Sequence, residues 1–359
     1  MPELPEVETI KRNLEPNILG KTISDIKILS PKNFIGKKED ALNRKIVSVD
    51  RYGKVLVIKL IRVDHDRPLH NNYLNIHFKL SGQILFSPDI NHAVFKNIIP
   101  FTGGNKMPAN TTRVVIKFQD GSGLFFNDLR KFGWIKISNE PLKPKGIDVL
   151  SKEFTVKYLT VILKSTKKLI KIVLMDQDKM TGIGNIYAND SLFISKIYPL
   201  RPANSLKEEE IKNLYQAILK VIKEGIKDKG SSGADEAFIL PTGEKGGHQR
   251  HFLVYQREGK PCFVCKTIIK RVKHHGRGSF FAPNANSLLT CHPERRPAKR
   301  VKVKHSSSLW DTTWGIPLWR SRHLPKQGFG VRNPEPSRRY VGAGSWVKDL
   351  ATERSVKCY

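Results

Sequence analysis

Cysteine is scarce, with four among 359 residues. That is too few for a disulfide framework and excludes the small, disulfide-stapled secreted class. Acidic residues are outnumbered: 33 Asp and Glu stand against 63 Lys and Arg, for a formal net charge of +30. Such an excess points to a polyanionic partner, either a nucleic acid or an anionic membrane surface. Long apolar runs are missing too; none reaches the roughly 20 residues that span a bilayer. Nor is there a recognisable basic amphipathic helix with a bulky apolar face, so the membrane surface ranks behind nucleic acid. Glu3, Glu6 and Glu8 stand where a signal peptide would need basic and then apolar residues. A cytoplasmic protein acting on nucleic acid is the expected class. With 39% hydrophobic residues the chain can bury real cores.

Residues 1–150 read as one short helix followed mostly by strands. Val7, Ile10 and Leu14 recur at helical spacing behind Pro5 and Glu6. Stretches 46–60, 73–85, 112–118 and 124–137 are rich in β-branched and aromatic residues. Turn clusters such as Gln119-Asp120-Gly121-Ser122-Gly123 separate them, which suits antiparallel sheets. Residues 91–110 have little periodicity and read as a surface insertion. Residues 151–235 change to a helical period, with helices expected over 154–175, 187–194 and 206–226. Thr181-Gly182-Ile183-Gly184-Asn185 makes a glycine-rich break. In the segment 236–285, the end of a glycine-rich loop (231–247) leads into a small β-hairpin element around Cys262 and Cys265. A Cys-x-x-Cys pair in an intracellular basic protein points to metal before redox chemistry. Residues 286–359, rich in Arg, Pro, Ser and Trp, lack sustained periodicity and are expected to form a disordered basic tail.

The first six residues, Met1-Pro2-Glu3-Leu4-Pro5-Glu6, have a chemistry of their own. A small second residue allows Met1 to be removed, exposing Pro2 as a secondary amine. An α-amino group has a pKa near 8, so a fair fraction is neutral and nucleophilic at neutral pH. Such an amine can attack a sugar C1′ and form a Schiff base. Glu3 is placed to protonate the sugar ring oxygen as the ring opens. Alternatively, Pro2 is only a processing signal and the glutamates cap the first helix.

Met1-Pro2-Glu3-Leu4-Pro5-Glu6-Val7-Glu8-Thr9-Ile10 resembles the start of bacterial formamidopyrimidine-DNA glycosylases, and motifs downstream match in order. Arg51-Tyr52-Gly53-Lys54 is similar to the family segment that bears its lysine. His77-Phe78-Lys79-Leu80-Ser81-Gly82 is similar to a family turn, and Asp128-Leu129-Arg130-Lys131-Phe132-Gly133 to the motif D-x-R-R-F-G. Asp176-Gln177 with 182–188 resembles the helix–two-turns–helix DNA-binding signature, and 254–262 the start of the family's zinc finger. The resemblance runs from Pro2 to about Ala285.

The resemblance implies an α+β fold: an N-terminal β-sandwich with flanking helices (1–150), a helix–two-turns–helix domain (151–235) and a capping loop with a finger-like hairpin (236–285). DNA would lie in the basic cleft between them. It implies a monomeric base-excision glycosylase and abasic-site lyase acting on double-stranded DNA that carries an oxidised purine. Pro2 would be the nucleophile and Glu3 the proton donor, with Glu6 ordering the site. Lys54 would serve near the phosphate or in β-elimination, and Arg277 would grip the phosphate and assist δ-elimination. Leu80, where the family has methionine, would fill the space left by the extruded nucleotide together with Arg130 and Phe132. Lys167, Lys171 and Asn185 match DNA-contact positions, and Thr111 stands where the family has histidine. Loop 231–247 corresponds to the loop that caps the flipped base.

The implied zinc site is broken. Cys262 and Cys265 supply one ligand pair, but Ala282 and Ala285 stand at the positions of the second, and alanine cannot ligate zinc. A metal-free or weakly metal-binding finger is the leading expectation. His274, His275 or Cys291 completing an irregular site is the alternative, as is a decayed finger that leaves Arg277 misplaced. No organic cofactor is expected. Two rival functions follow: a lesion-binding pseudoenzyme without lyase activity, and an endonuclease VIII-like glycosylase for oxidised pyrimidines. Leu4 opposes the second, since that relative has glycine there.

Overall fold

Strands rich in β-branched and aromatic residues in the first 140 residues fold into two stacked sheets. The computed structural model describes residues 2–62, 71–233 and 238–286. The expected tail therefore lies outside the described residues, apart from Asn286.

Helix α1 (Leu4–Ile18) is followed by β1 (Ile23–Ile28), β2 (Phe34–Ile35), β3 (Arg44–Tyr52), β4 (Val55–Arg62), β5 (Asn72–His77) and β6 (Gly82–Ser87). Next come β7 (Val94–Ile99), β8 (Gly104–Lys106), β9 (Thr112–Phe118), β10 (Gly123–Asp128), β11 (Trp134–Ser138) and β12 (Ile147–Asp148). One sheet has the order β1-β9-β10-β6 and the other β2-β11-β5-β4-β3, antiparallel except where β2 meets β11. Ile26, Ile84, Ile116 and Phe126 from the first face Val49, Ile58, Leu74 and Ile76 from the second. Val7, Ile10, Leu14 and Ile18 of α1 join that core. Three of the four stretches read as strands are in fact strand pairs. Their dividing turns fall at 53–54, 78–81 and 129–133, so they carry Lys54, Leu80, Arg130 and Phe132.

The stretch 91–110 is more ordered than a bare insertion. Strands β7 and β8 pair as a hairpin. Phe95, Ile99 and Met107 pack on the outer face of the first sheet with Leu85, Val115 and Phe125, and Ile239 of the capping loop joins them. Strand β10 is consequently buried on both sides.

The helical region contains α2 (Val156–Lys164), α3 (Ile170–Leu174), β13 (Met180–Thr181), α4 (Asn185–Ile194) and α5 (Glu208–Lys227), and β14 (Lys270–His274) and β15 (Arg277–Phe281) end the described fold. The single helix expected over 154–175 breaks after Lys164. There the backbone bonds instead to the segment before α5, through Ile170 to Arg201, Ala203 to Lys168 and Asn204 to Thr166. The α5 face formed by Ile211, Leu214, Ile218 and Ile222 packs on Leu159, Tyr187 and Leu192, and Leu4 at the start of α1 belongs to the same core. Arg51, nearly buried, bridges Glu8 of α1 at 3.0 Å and Asp148 of β12, tying the sandwich to the helical region. Among the described residues no helix is long and apolar enough to cross a membrane.

Candidate active site and DNA cleft

The floor of the site is where the start of α1 meets the start of α4. The Glu3 carboxylate is buried and accepts hydrogen bonds from the backbone N–H groups of Ile186 at 3.0 Å and Tyr187 at 3.5 Å. These are among the amides that a helix N-terminus leaves unsatisfied, and the helix dipole favours a negative charge there. The carboxylate fits only because position 184 is glycine: a Cβ there would lie 2.3 Å from Glu3 Cδ. At least two of the first α4 amides already hold Glu3, and Asn185 offers its side chain at the cleft wall. Pro2 is buried beside Glu3.

Glu6 lies one turn further along α1. Its carboxylate accepts from the Tyr187 hydroxyl at 2.7 Å, the Ser231 amide at 2.9 Å and the Glu3 amide at 2.8 Å. Burial, helped by the neighbouring Glu3 charge, pushes the Glu6 carboxyl above its usual range. Glu6 thus joins α1, α4 and the root of the capping loop. Tyr187 and Ser231 carried no assigned role in the sequence, because each sits more than 180 residues from its partner. The Tyr187 ring reaches this place past Gly225 in α5, where a Cβ would meet it at 2.6 Å.

Cations surround this floor. Lys54 is buried and donates to the Ile183 carbonyl at 2.8 Å. Burial lowers its pKa to about 8, with Arg277 lowering it further and Glu3 and Glu6 opposing. Nearby His77 is held neutral: burial, with the Lys79 and Lys54 charges, lowers it to about 3. Lys171, at a position where the resemblance implies a DNA contact, is only 4% exposed, and its amine donates to the Gly278 carbonyl and to Ser279 Oγ at 3.1 Å. Burial and Arg277 lower its pKa to about 7. The inward turn follows from the break between α2 and α3, which rotates Lys171 towards β15. Lys167, on the connecting segment, is exposed.

A cleft of about 200 Å³ opens above Glu3, lined by Leu80, Arg130, Asn185 and Arg277 among others. Two turns form its rim, and buried Asp128 clamps them together. Its carboxylate accepts from Ser81 Oγ in one turn, and from the amides of Arg130 (3.2 Å) and Gly133 (2.6 Å) in the other. Leu80 is half-buried, while Arg130 and Phe132 are exposed. Phe132 sits under the Lys32 ammonium at 5.6 Å and does not line the cleft. Thr111, at the position of the family histidine, is buried with its hydroxyl unpartnered.

The finger is packed without metal ligands at two of four positions. Cys262, Ala282, Val254, Ile269, Phe280 and Phe193 form a small core, with Cys265 and Ala285 against it. Partial burial raises the Cys265 thiol pKa. Hydrogen bonds from Thr267, Cys262 and the Ala285 backbone outweigh that and bring it below its ordinary value. The two alanines therefore stand where a second ligand pair would converge. His274 and His275 do not complete the set. His274 pairs with Arg277 at the far end of the hairpin from Lys270 and Phe281, roughly 13 Å away by strand rise. Cys291 lies outside the described residues. Among the described residues the finger offers two thiols and no second ligand pair, which does not fit a tetrahedral zinc site. The hairpin instead docks on α4: Asn189 accepts from the Phe280 amide at 2.8 Å, and Asp190 accepts from the amides of Leu253, Val254 and Tyr255. Asn286 donates to the carbonyls of Leu192 and Ile197.

Among the described residues, Asp228, His248 and His251 also bring metal-capable atoms within 4.8 Å of one another. Here both imidazoles already bond one Asp228 oxygen, at 2.8 and 2.6 Å, which clasps the end of α5 to the far end of the capping loop.

The chain resembles known proteins over most of its length. Residues 1–135 match the formamidopyrimidine-DNA glycosylase N-terminal domain, and residues 145–236 match the helix–two-turns–helix domain of the same glycosylase. The formamidopyrimidine-DNA glycosylase of Lactiplantibacillus plantarum is 35% identical over 296 residues, covering 79% of this chain and 98% of that protein. The Pelotomaculum thermopropionicum protein is 33% identical, covering 80% of this chain and 100% of its own. The crystal structure of the Thermus thermophilus MutM (Fpg) protein superposes with a TM-score of 0.66 at 31% identity, over 79% of this chain and 98% of that one. Lactococcus lactis Fpg in complex with abasic-site DNA gives 0.65 at 26% identity, over 79% and 99%. The chain belongs to the formamidopyrimidine-DNA glycosylase family.

Proposed function

We propose that this protein is a base-excision repair glycosylase and abasic-site lyase that removes oxidised purines from double-stranded DNA through a Pro2 Schiff base. The observation that carries the reading is the meeting of Glu3 and Arg277 at one cleft, with Pro2 next to the buried carboxylate and the buried Lys54 ammonium within electrostatic reach of both.

The target nucleotide leaves the stack, at a cost of a few kcal/mol, and its sugar comes to rest against Pro2. The proline lone pair forms a bond to C1′ while the C1′–N bond breaks, and the base leaves with that electron pair and takes a proton from water. The proline nitrogen passes its N–H proton to the Glu3 carboxylate, its freed lone pair drives ring opening, and O4′ takes that proton back from Glu3 as the iminium forms. Loss of a C2′ proton expels the 3′ phosphate. A second elimination expels the 5′ phosphate, held by Arg277. Lys54, titrating near 8, exchanges protons readily in the physiological range. Arg130 and Leu80 occupy the vacated space beside the orphaned base.

The pseudoenzyme reading needs a finger that misplaces Arg277. Lys171 and Asn189 oppose it, since both bond the β15 backbone next to Arg277 without any metal. The test is borohydride trapping on a duplex with 8-oxoguanine opposite cytosine. The wild type gives a covalent adduct and Pro2→Gly gives none. A wild type that binds the duplex without forming an adduct overturns the lyase.

A further inference from the structure

We propose that Phe101, at the tip of the β7–β8 hairpin, forms a nucleobase-stacking subsite on the wall of the cleft. The proposal rests on the repair function above and adds a residue that the family motifs do not contain. Phe101 lines the same cleft as Glu3, Leu80, Arg130 and Arg277, yet it belongs to a different element from any of them. Its side chain is 40% exposed. Its backbone sits in the left-handed region, with φ of 68°. For a bulky residue that conformation is strained, and the exposed ring recovers only part of that strain by burial.

The hairpin is built to hold this arrangement. Thr102 Oγ1, next to Phe101, donates to the Ile99 carbonyl (2.8 Å) or the Gly104 carbonyl (2.9 Å) across the turn. Asn105 fixes the stem by donating to the Phe95 carbonyl at 2.9 Å. Below the tip, Phe95 and Ile99 are sunk in the outer core of the sandwich. The stem also touches the capping loop: Asn97 donates to the Gly243 carbonyl at 3.4 Å, and Phe95 and Ile99 approach position 243 so closely that a Cβ there would meet them at 3.0 Å. One rigid element therefore joins the loop that would cover an everted base to the wall beside the sugar-binding floor. An aromatic face fixed there suits the flat, apolar face of a base, whatever its edge carries. Stacking of this kind is tolerant of base identity, since every base has a π-face.

The experiment compares Phe101 with Phe101→Ala and Phe101→Trp, all in a Pro2→Gly background so that no base is excised. Affinity is measured by fluorescence anisotropy for two duplexes: one with 8-oxoguanine, the other with a baseless tetrahydrofuran at the same position. Phe101→Ala is expected to weaken the base-bearing duplex about tenfold and the baseless duplex less than twofold, while Phe101→Trp stays near the parent on both. Thermal unfolding of the alanine variant is expected to match or exceed the parent. Equal affinity for the 8-oxoguanine duplex in parent and Phe101→Ala overturns the subsite. So does equal weakening on both duplexes, which would mark a backbone or structural contact. Neither outcome depends on the borohydride adduct, so the subsite and the lyase can fail separately.

Discussion

The two sides of the cleft are anchored by different physics. The floor is over-determined. Glu3 and Glu6 together accept at least five hydrogen bonds, and two glycines leave room for them and for Tyr187. The hairpin opposite, which supplies Arg277, rests on a small core and a few bonds to α4. A buried, mutually bonded group tolerates almost no change, whereas a hairpin held by several modest ties can lose one kind of anchor and keep its place. That contrast accounts for a finger in which half the usual ligand set has become alanine while the nucleophile and its acid stand intact.

The strongest way to break the comparison is on the floor. Gly184→Ala drives a methyl into the Glu3 carboxyl, so single-turnover excision should fall on the order of 10²-fold or more. Duplex binding by anisotropy should change far less; unchanged excision would show that Glu3 is not positioned by this seat. In the finger, Ala282→Cys with Ala285→Cys should complete a four-thiolate set and take up one equivalent of zinc, read by metal analysis and a raised melting temperature. The parent should keep its trapping activity in chelator. Loss of parent activity on chelation would overturn the metal-free finger.

A subtler test reads Lys54 by pH. Its folded pKa, about 8, lies below the ordinary 10.5, so the unfolded chain binds more protons between those values and stability should rise with pH there. The rise, on the order of 2–3 kcal/mol, should disappear in Lys54→Met when urea midpoints are followed from pH 7 to 11; equal slopes would refute it. The smallest effect is expected from Lys167→Ala. It should weaken all duplexes alike and shallow the salt slope by about 1. Lys171→Ala should instead lower the trapping rate by loosening β15, and similar behaviour of the two lysines would erase the distinction drawn between them.

The parts of this site that were legible in the sequence travel in short contiguous motifs: Pro2 with Glu3 and Glu6, Lys54 in its turn, Arg130 with Phe132. The strands were legible for the same reason, since their period is local. What stayed hidden depends on partners far along the chain. Lys171 continues a helical pattern, and the break before α3 together with a bond to a carbonyl 107 residues away turns it inward. Residues 91–110 look aperiodic because their apolar side chains answer to Leu85, Val115 and Phe125 of the first sheet and to Ile239 and Gly243 of the capping loop. Tyr187, a plain aromatic within a recognised signature, gains its role only from Glu6.

The seat of Glu3 also bears on inhibition. Free phosphate or sulfate often lodges on the first amides of a helix, but in α4 a carboxylate of the same chain already engages the amides of Ile186 and Tyr187. Dissolved anions are thus left to compete for the surface lysines and arginines alone. Buffer salts should slow this protein through ionic strength, and phosphate should inhibit no more than chloride at equal ionic strength.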